Sequence, residues 1–158
     1  MNDPDHPAHP GDETASPSRG DPGVPGYAWD GRAASALAYG VVLVTRRRAA
    51  LFADAAAATR VRELLADAAG GCSCRLVACD VGPSYVRLVV EAPPTVSPHV
   101  VVTHVRPGGA ALKGEFEAAR RLGAVFTRRY LVRTGPVSDA DCEAFIATLR
   151  TDGLRGNS

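Results

Sequence analysis

Seventeen of the chain's residues are arginine and one is lysine. Several of these cations come in runs. Arg46-Arg47-Arg48 and Arg128-Arg129 are clusters, Arg133 follows the second, Arg120-Arg121 lies upstream of it, and Arg106 and Lys113 flank Pro107-Gly108-Gly109. Guanidinium groups pair with phosphates and stack on bases, which is the chemistry of a nucleic-acid surface. The plainer alternative is a solvated rim partly neutralised by nearby acids. Tyr85 and Arg87 are two residues apart in an apolar segment, so on a strand they share one face. A tyrosine hydroxyl beside an arginine can be imagined in phosphoryl transfer, with the guanidinium gripping phosphate in bidentate geometry. Tyr130 carries another hydroxyl. No general base or metal ligand is visible near Tyr85 in the sequence, which favours space filling or phosphate binding without reaction.

The remaining candidates are weaker. Cys72, Cys74 and Cys79 form C-x-C-x4-C, and Cys142 is distant. A structural zinc site uses paired C-x2-C-type spacings, so these thiols read as small apolar packing groups. His99 and His104 are at i and i+5, about 140° apart on a helix, and make a poor metal pair. His6 and His9 could bind metal only adventitiously. No metal and no cofactor is expected.

The elements that must position these residues follow from periodicity and punctuation. Tyr39 to Thr45 is a β-branched apolar run of strand length. Leu51 to Ala69 is alanine-rich, with Val61, Leu64, Leu65 and Ala68 at helical spacing and Gly70-Gly71 as a stop. Arg75 to Val81 and Ser84 to Ala92 read as strands, the latter with Val86, Leu88 and Val90 on one face and Pro93-Pro94 as its end. Ser97-Pro98 predicts a helix start, and the helix should reach about Arg106. Phe126 to Thr134 reads as a fourth strand. Ser138 caps a last helix from Asp139 to Arg150, with acids in its first turn. The order predicts an α+β fold: ferredoxin-like βαββαβ with an additional C-terminal helix. The first and fourth strands are expected not to be neighbours, so the arginines need not form one patch.

The chain has 158 residues and a formal charge of +1, which excludes a strongly basic whole-chain profile. Charge is unevenly divided: residues 1–26 sum to −4 and the rest to +5. The acidic Pro/Gly-rich leader has too few large apolar groups to offset ordering, so residues 1–35 are expected to be a disordered tail. It is either a solubilising leader or an acidic arm competing with nucleic acid for a basic face. Residues 36–152 form the expected domain and 153–158 a flexible C-terminus. No run approaches the ~18 apolar residues of a membrane span and the N-terminus lacks an apolar signal core, so a cytoplasmic protein with reduced thiols is expected.

From Tyr39 to about Arg150 the chain resembles the single-tyrosine HUH transposases of the insertion-sequence 200/605 type. The resemblance is carried by Tyr39-Gly-Val-Val-Leu-Val-Thr-Arg-Arg-Arg48, Val81-Gly-Pro-Ser-Tyr-Val-Arg-Leu-Val-Val-Glu-Ala-Pro-Pro94, Phe126-Thr-Arg-Arg-Tyr-Leu-Val-Arg-Thr-Gly-Pro-Val-Ser138 and Cys142-Glu-Ala-Phe-Ile-Ala-Thr-Leu149, in that order. It implies enzymes that cut and rejoin single-stranded DNA at hairpin-flanked ends. Two strand histidines at i and i+2 hold a divalent ion that polarises the scissile phosphate. A tyrosine on the last helix attacks phosphorus, and a glutamine one turn later completes the metal site. The matching positions here are Tyr85, Arg87, Phe145 and Leu149, with Ser84 where an acid usually precedes the first histidine. Every reactive group is replaced. The resemblance thus implies a catalytically inactive, homodimeric protein that binds single-stranded or hairpin DNA through Arg46, Arg47, Arg48, Arg87, Arg106, Lys113, Arg128, Arg129 and Arg133. The alternatives are a protein-interaction module of the same fold, and a DNA strand transferase with a relocated nucleophile.

Overall fold

The computed structural model describes residues 23–29 and 31–154, the last five of them as backbone. The expected disorder of residues 1–22 and the last four residues of the chain lie outside that span. Residues 28–29 and 34–35, assigned from sequence to the tail, form a small antiparallel ribbon in which β1 (Ala28–Trp29) pairs with β2 (Ala34–Ser35). The main strands are β3 (Leu37–Thr45), β4 (Arg75–Val81), β5 (Tyr85–Ala92) and β6 (Phe126–Thr134). Helix α1 (Ala55–Gly70) connects β3 to β4. Helix α2 (Pro98–Val105) and two short helices, α3 (Leu112–Glu115) and α4 (Glu117–Arg120), lie between β5 and β6. Helix α5 (Asp139–Leu154) ends the described chain, running past the expected stop into the segment read as a flexible terminus.

The four main strands form one antiparallel sheet in the order β4-β5-β3-β6. The first and fourth main strands are therefore neighbours, contrary to the sequence expectation. Topology gives the reason. The β4–β5 hairpin folds back so that β5 takes one side of β3, and β6, returning after α2, takes the free side.

Local chemistry sets the helix starts. The Asp54 carboxylate accepts from the Ala56 and Ala57 N–H groups at 2.8 and 3.3 Å, so α1 begins there and not at Leu51. Residues Leu51–Ala53 form a 3-10 turn that buries Leu51 and Phe52. Ser97 accepts from the Val100 N–H at 3.2 Å, and the Ser138 hydroxyl from the Asp141 N–H at 3.1 Å. Sequence periodicity missed α3 and α4, because each is a single turn and shorter than its window.

Each face of the sheet has its own apolar cluster. On one face Tyr39, Val41, Leu43, Val86, Leu88 and Val90 meet Val61 and Leu65 of α1 and Val101, Val102 and Val105 of α2. Burying each such side chain stabilises the fold by roughly 1.5–3 kcal/mol relative to exposure. On the other face Val42 and Val44 meet Val137 and Cys142, with Tyr85, Leu131, Phe145, Ile146 and Leu149 packed around them. The molecule is a helix–sheet–helix sandwich in which α5 covers the second face. No helix among the described residues is long and apolar enough to cross a membrane.

The link into α5 is fastened to β3. The Gly135 N–H donates to the Ala38 carbonyl at 2.8 Å. Gly135 has φ 79°, in the left-handed region that favours glycine. A Cβ on Gly40 would collide with the Gly135 carbonyl oxygen and stand 2.9 Å from the Val137 nitrogen. Gly40→Ala should therefore lower unfolding free energy in urea by about 1–3 kcal/mol. Gly114→Ala, at a helical position where a Cβ meets nothing within 4 Å, should be neutral or stabilising by under about 1 kcal/mol.

Candidate functional site

On β5, residues alternate between faces, so Tyr85 and Arg87 point toward α5 while Val86 and Leu88 enter the opposite core. Tyr85, Phe145 and Leu149 converge in the apolar cluster beneath α5. Three positions that the resemblance aligns with reactive groups are thus together in space, as packing residues. The Tyr85 ring lies over Gly82, where an added Cβ would strike it. Its hydroxyl has no hydrogen-bond partner among the described residues. Cys142, buried in the same cluster, has its thiol pKa raised by desolvation, which keeps it protonated.

Arg87 occupies the rim of this cluster and its guanidinium is engaged. Nη2 donates to Asp80 Oδ2 at 2.9 Å, and Nη1 donates to Asp139 Oδ1 at 2.5 Å and to the Val137 carbonyl at 3.4 Å. The side chain is 20% exposed, against 69% for Asp80 and 85% for Asp139. Hydrogen bonding to Asp139, then to Asp80, raises the arginine's pKa further above its ordinary value. The three groups tie edge strand β4, strand β5 and the start of α5 together. A divalent ion does not fit here. A phenol ring, a guanidinium and two hydrocarbon side chains offer no ligand set, and Arg87 would repel a cation. Among the described residues no group of three or more His, Cys, Asp and Glu side chains could hold a metal.

A second constellation forms at the end of the sheet where β3 exits and β6 enters. Arg46–Arg48 make a 3-10 turn in which Arg47 and Arg48 have φ 57° and 51°. The Thr45 hydroxyl lies 2.7 Å from the Ala49 carbonyl and 3.1 Å from that of Ser84, closing the turn. The Arg46 N–H donates to the Val125 carbonyl at 2.9 Å and its Nη1 to the Leu122 carbonyl at 3.4 Å. Lys113 Nζ donates to the Gly123 carbonyl at 2.5 Å.

Beside this turn the β3–β6 register shifts. Leu43 faces Tyr130, but Thr45 faces Phe126, so β6 bulges over Thr127–Arg129 and exposes Arg128 and Arg129. Arg106 reaches the same place: Nη1 donates to the Arg128 carbonyl at 2.7 Å, and its guanidinium lies 5.7 Å from the centre of the Tyr130 ring. Arg46, Arg47, Arg48, Arg106, Lys113, Arg128 and Arg129 therefore share one end of the molecule. Arg133 stands apart. It lies opposite Gly40 toward the other end of β6, 4.0 Å from Asp141. Arg87 is also separate, on the α5 face.

Sequence reasoning missed several of these relationships. Asp80 faces Arg87 in the β4–β5 pairing, which counting outward from a turn centred on Pro83-Ser84 could have revealed. The approach of Asp139 is tertiary and left no local signal. The same holds for His99 Nδ1, which lies 3.1 Å from the Tyr130 hydroxyl. His104 Nδ1 instead lies 3.0 Å from the Val100 carbonyl of its own helix, so the two histidines are engaged separately.

Arg87→Met should lower unfolding free energy by about 1–2 kcal/mol, at the low end for charged hydrogen bonds because both carboxylates are solvated. Asp139→Asn should cost less, and the double variant less than the two losses added, read by urea titration as a double-mutant cycle.

Comparison with known proteins places this geometry. The family described as Transposase IS200 like matches residues 33–147. A crystal structure of a Deinococcus radiodurans R1 protein, provisionally assigned as a transposase, has a TM-score of 0.61 at 24% identity, covering 73% of this chain and 89% of that one. A REP-associated tyrosine transposase, solved bound to a REP hairpin, has a TM-score of 0.48 at 9% identity, covering 73% of this chain and 68% of that one. No curated protein matches the chain. The matched family span contains all four main strands, the helices of one face and α5 as far as residue 147, and the chain belongs to the IS200-like transposase family.

Proposed function

We propose that this protein is a DNA-recognition member of its family, that it binds single-stranded or hairpin DNA at the basic end of the sheet, and that it does not carry out metal-dependent strand transfer. The observation that carries the reading is the convergence of Arg46–Arg48 with Arg128 and Arg129 where β3 and β6 meet. Arg46, Arg106 and Lys113 also cap backbone carbonyls. Arg47, Arg48 and Arg128 have no side-chain partner among the described residues and are the groups best placed to meet phosphate. Two consecutive arginines in the left-handed region cost on the order of 1 kcal/mol each, a strain typical of a segment held for a purpose.

Arg87 is left out of the proposed surface because two carboxylates already satisfy it, and Arg133 contributes at most a peripheral contact. The inactive part of the proposal rests on Phe145, which has no hydroxyl with which to attack phosphorus, and on the phenol, guanidinium and hydrocarbon groups that stand at the other three matching positions in place of metal ligands. The homodimer implied by the resemblance and the cytoplasmic location expected from the sequence belong to the same proposal.

Fluorescence anisotropy with labelled single-stranded, hairpin and duplex DNA at three salt concentrations tests the binding. Preference for single strand or hairpin is expected, with a log–log salt slope of about −2 to −3.5, as for three to five phosphate contacts on a single strand. Replacing Arg47, Arg48 and Arg128 with Ser should flatten the slope by about 2 and weaken binding at least tenfold, while Arg133→Ser should leave the slope nearly unchanged. No binding to any form at low salt would make these arginines a solvated rim and favour a protein partner.

Incubation of the protein with hairpin DNA and Mn²⁺ or Mg²⁺ should leave no covalent adduct on a denaturing gel. Phe145→Tyr alone should also yield none, because the metal ligands remain missing. A phosphotyrosine linkage in the unaltered protein would overturn the inactive assignment.

A further inference from the structure

We propose that Cys72 and Cys74 form a dithiol site that small-molecule disulfides convert reversibly to an intramolecular Cys72–Cys74 disulfide. The two Sγ atoms are 3.4 Å apart, in the turn between the end of α1 and the start of β4. Ser73, the residue between them, has φ 63°, and this left-handed turn brings both side chains to the same side over a short span. The turn is pinned to the helix: the Cys72 and Cys74 N–H groups both donate to the Ala69 carbonyl, at 3.2 and 3.0 Å. The backbone is therefore already held with the thiols in contact, and closing a sulfur–sulfur bond needs only a small side-chain movement.

Exposure assigns the order of events. Cys72 is half-buried and Cys74 is 2% exposed, so Cys72 meets the external reagent and Cys74 resolves the intermediate. The Cys72 thiolate attacks one sulfur of a disulfide R–S–S–R. A Cys72–S–R bond forms and one thiolate leaves. The Cys74 thiolate then attacks Cys72 Sγ, the internal disulfide forms, and the second thiolate leaves. Two protein thiols are oxidised, the small disulfide is reduced to two thiols, and the two protein protons end on the two products.

The other cysteines are set apart from this chemistry. Burial pushes the Cys79 thiol up to about 11, and Cys142 lies buried on the opposite face of the sheet. The turn lies beside the Arg75–Glu91 end of the β4–β5 hairpin, far along the sheet from the arginine-rich end. DNA binding is therefore a separate readout, and its failure would not bear on the dithiol.

The test is native full-length protein treated with oxidised glutathione at pH 8, then alkylated, digested with trypsin and weighed. The peptide Glu63–Arg75 contains Cys72 and Cys74 and neither of the other cysteines. It should lose two hydrogens, resist alkylation, and regain two alkylation sites after reduction. Cys74→Ser should trap glutathione on Cys72, because the resolving thiol is gone. Cys72→Ser, at the more exposed position, should leave Cys74 without glutathione in the native protein, which keeps the proposal testable if the buried substitution fails to fold. Oxidation joining either thiol to Cys79, Cys142 or a second chain would overturn the assignment. So would persistence of both free thiols under conditions that oxidise a model dithiol.

Discussion

Gly40 to Thr45 of β3 have no exposed face, and the rest of the molecule is arranged around that constraint. A strand buried on both sides needs apolar side chains in both registers and helices above and below. Val41 and Leu43 face α1 and α2, while Val42 and Val44 face α5. Both neighbouring strands must also supply backbone partners, and β5 and β6 do so. Gly40 belongs to the same constraint, because the link to α5 passes where a side chain would otherwise stand. The sheet's central strand thus decides where α5 lies, and α5 decides what the positions at 85, 145 and 149 can touch.

Much of this was legible in the residues. The strand bounds Arg75–Val81 and Phe126–Thr134, the Ser97-Pro98 helix start and the Ser138 cap follow from alternation, proline and hydroxyl placement, and all appear as read. What failed was longer range. The adjacency of β3 and β6 depends on where a returning strand finds a free edge, which no local pattern records. Two residues of bulge in β6 are invisible as well, because Thr127-Arg128-Arg129 reads as ordinary strand. That bulge, with the adjacency, is what gathers arginines that are scattered in sequence. Arg87 was placed on the correct face and given the wrong company, since one of its carboxylates comes from a cross-strand neighbour and the other from a helix more than fifty residues away.

The two faces of the sheet divide the chemistry. The face under α5 is an apolar layer with the Arg87 guanidinium at its rim, a charge engaged by two carboxylates of the molecule itself. The open end of the sheet carries cations of two kinds: some seal carbonyls of the chain entering β6, and others reach solvent. Family membership accounts for the shared framework. The side chains that differ account for the two environments.

The Asp80–Arg87–Asp139 arrangement also bears on how the sequence can drift. A histidine at position 87 would remove the guanidinium while leaving two carboxylates converging on the same space, like charges with their common partner gone. A histidine at 85 alone would put a polar ring into an apolar layer with nothing to bind. A hydroxyl at 145 or an amide at 149 would likewise arrive before any ion to receive it. The step at 87 therefore carries a penalty that belongs to the Asp80–Arg87–Asp139 group as a whole, and replacing the guanidinium alone is opposed until at least one of its carboxylates changes with it.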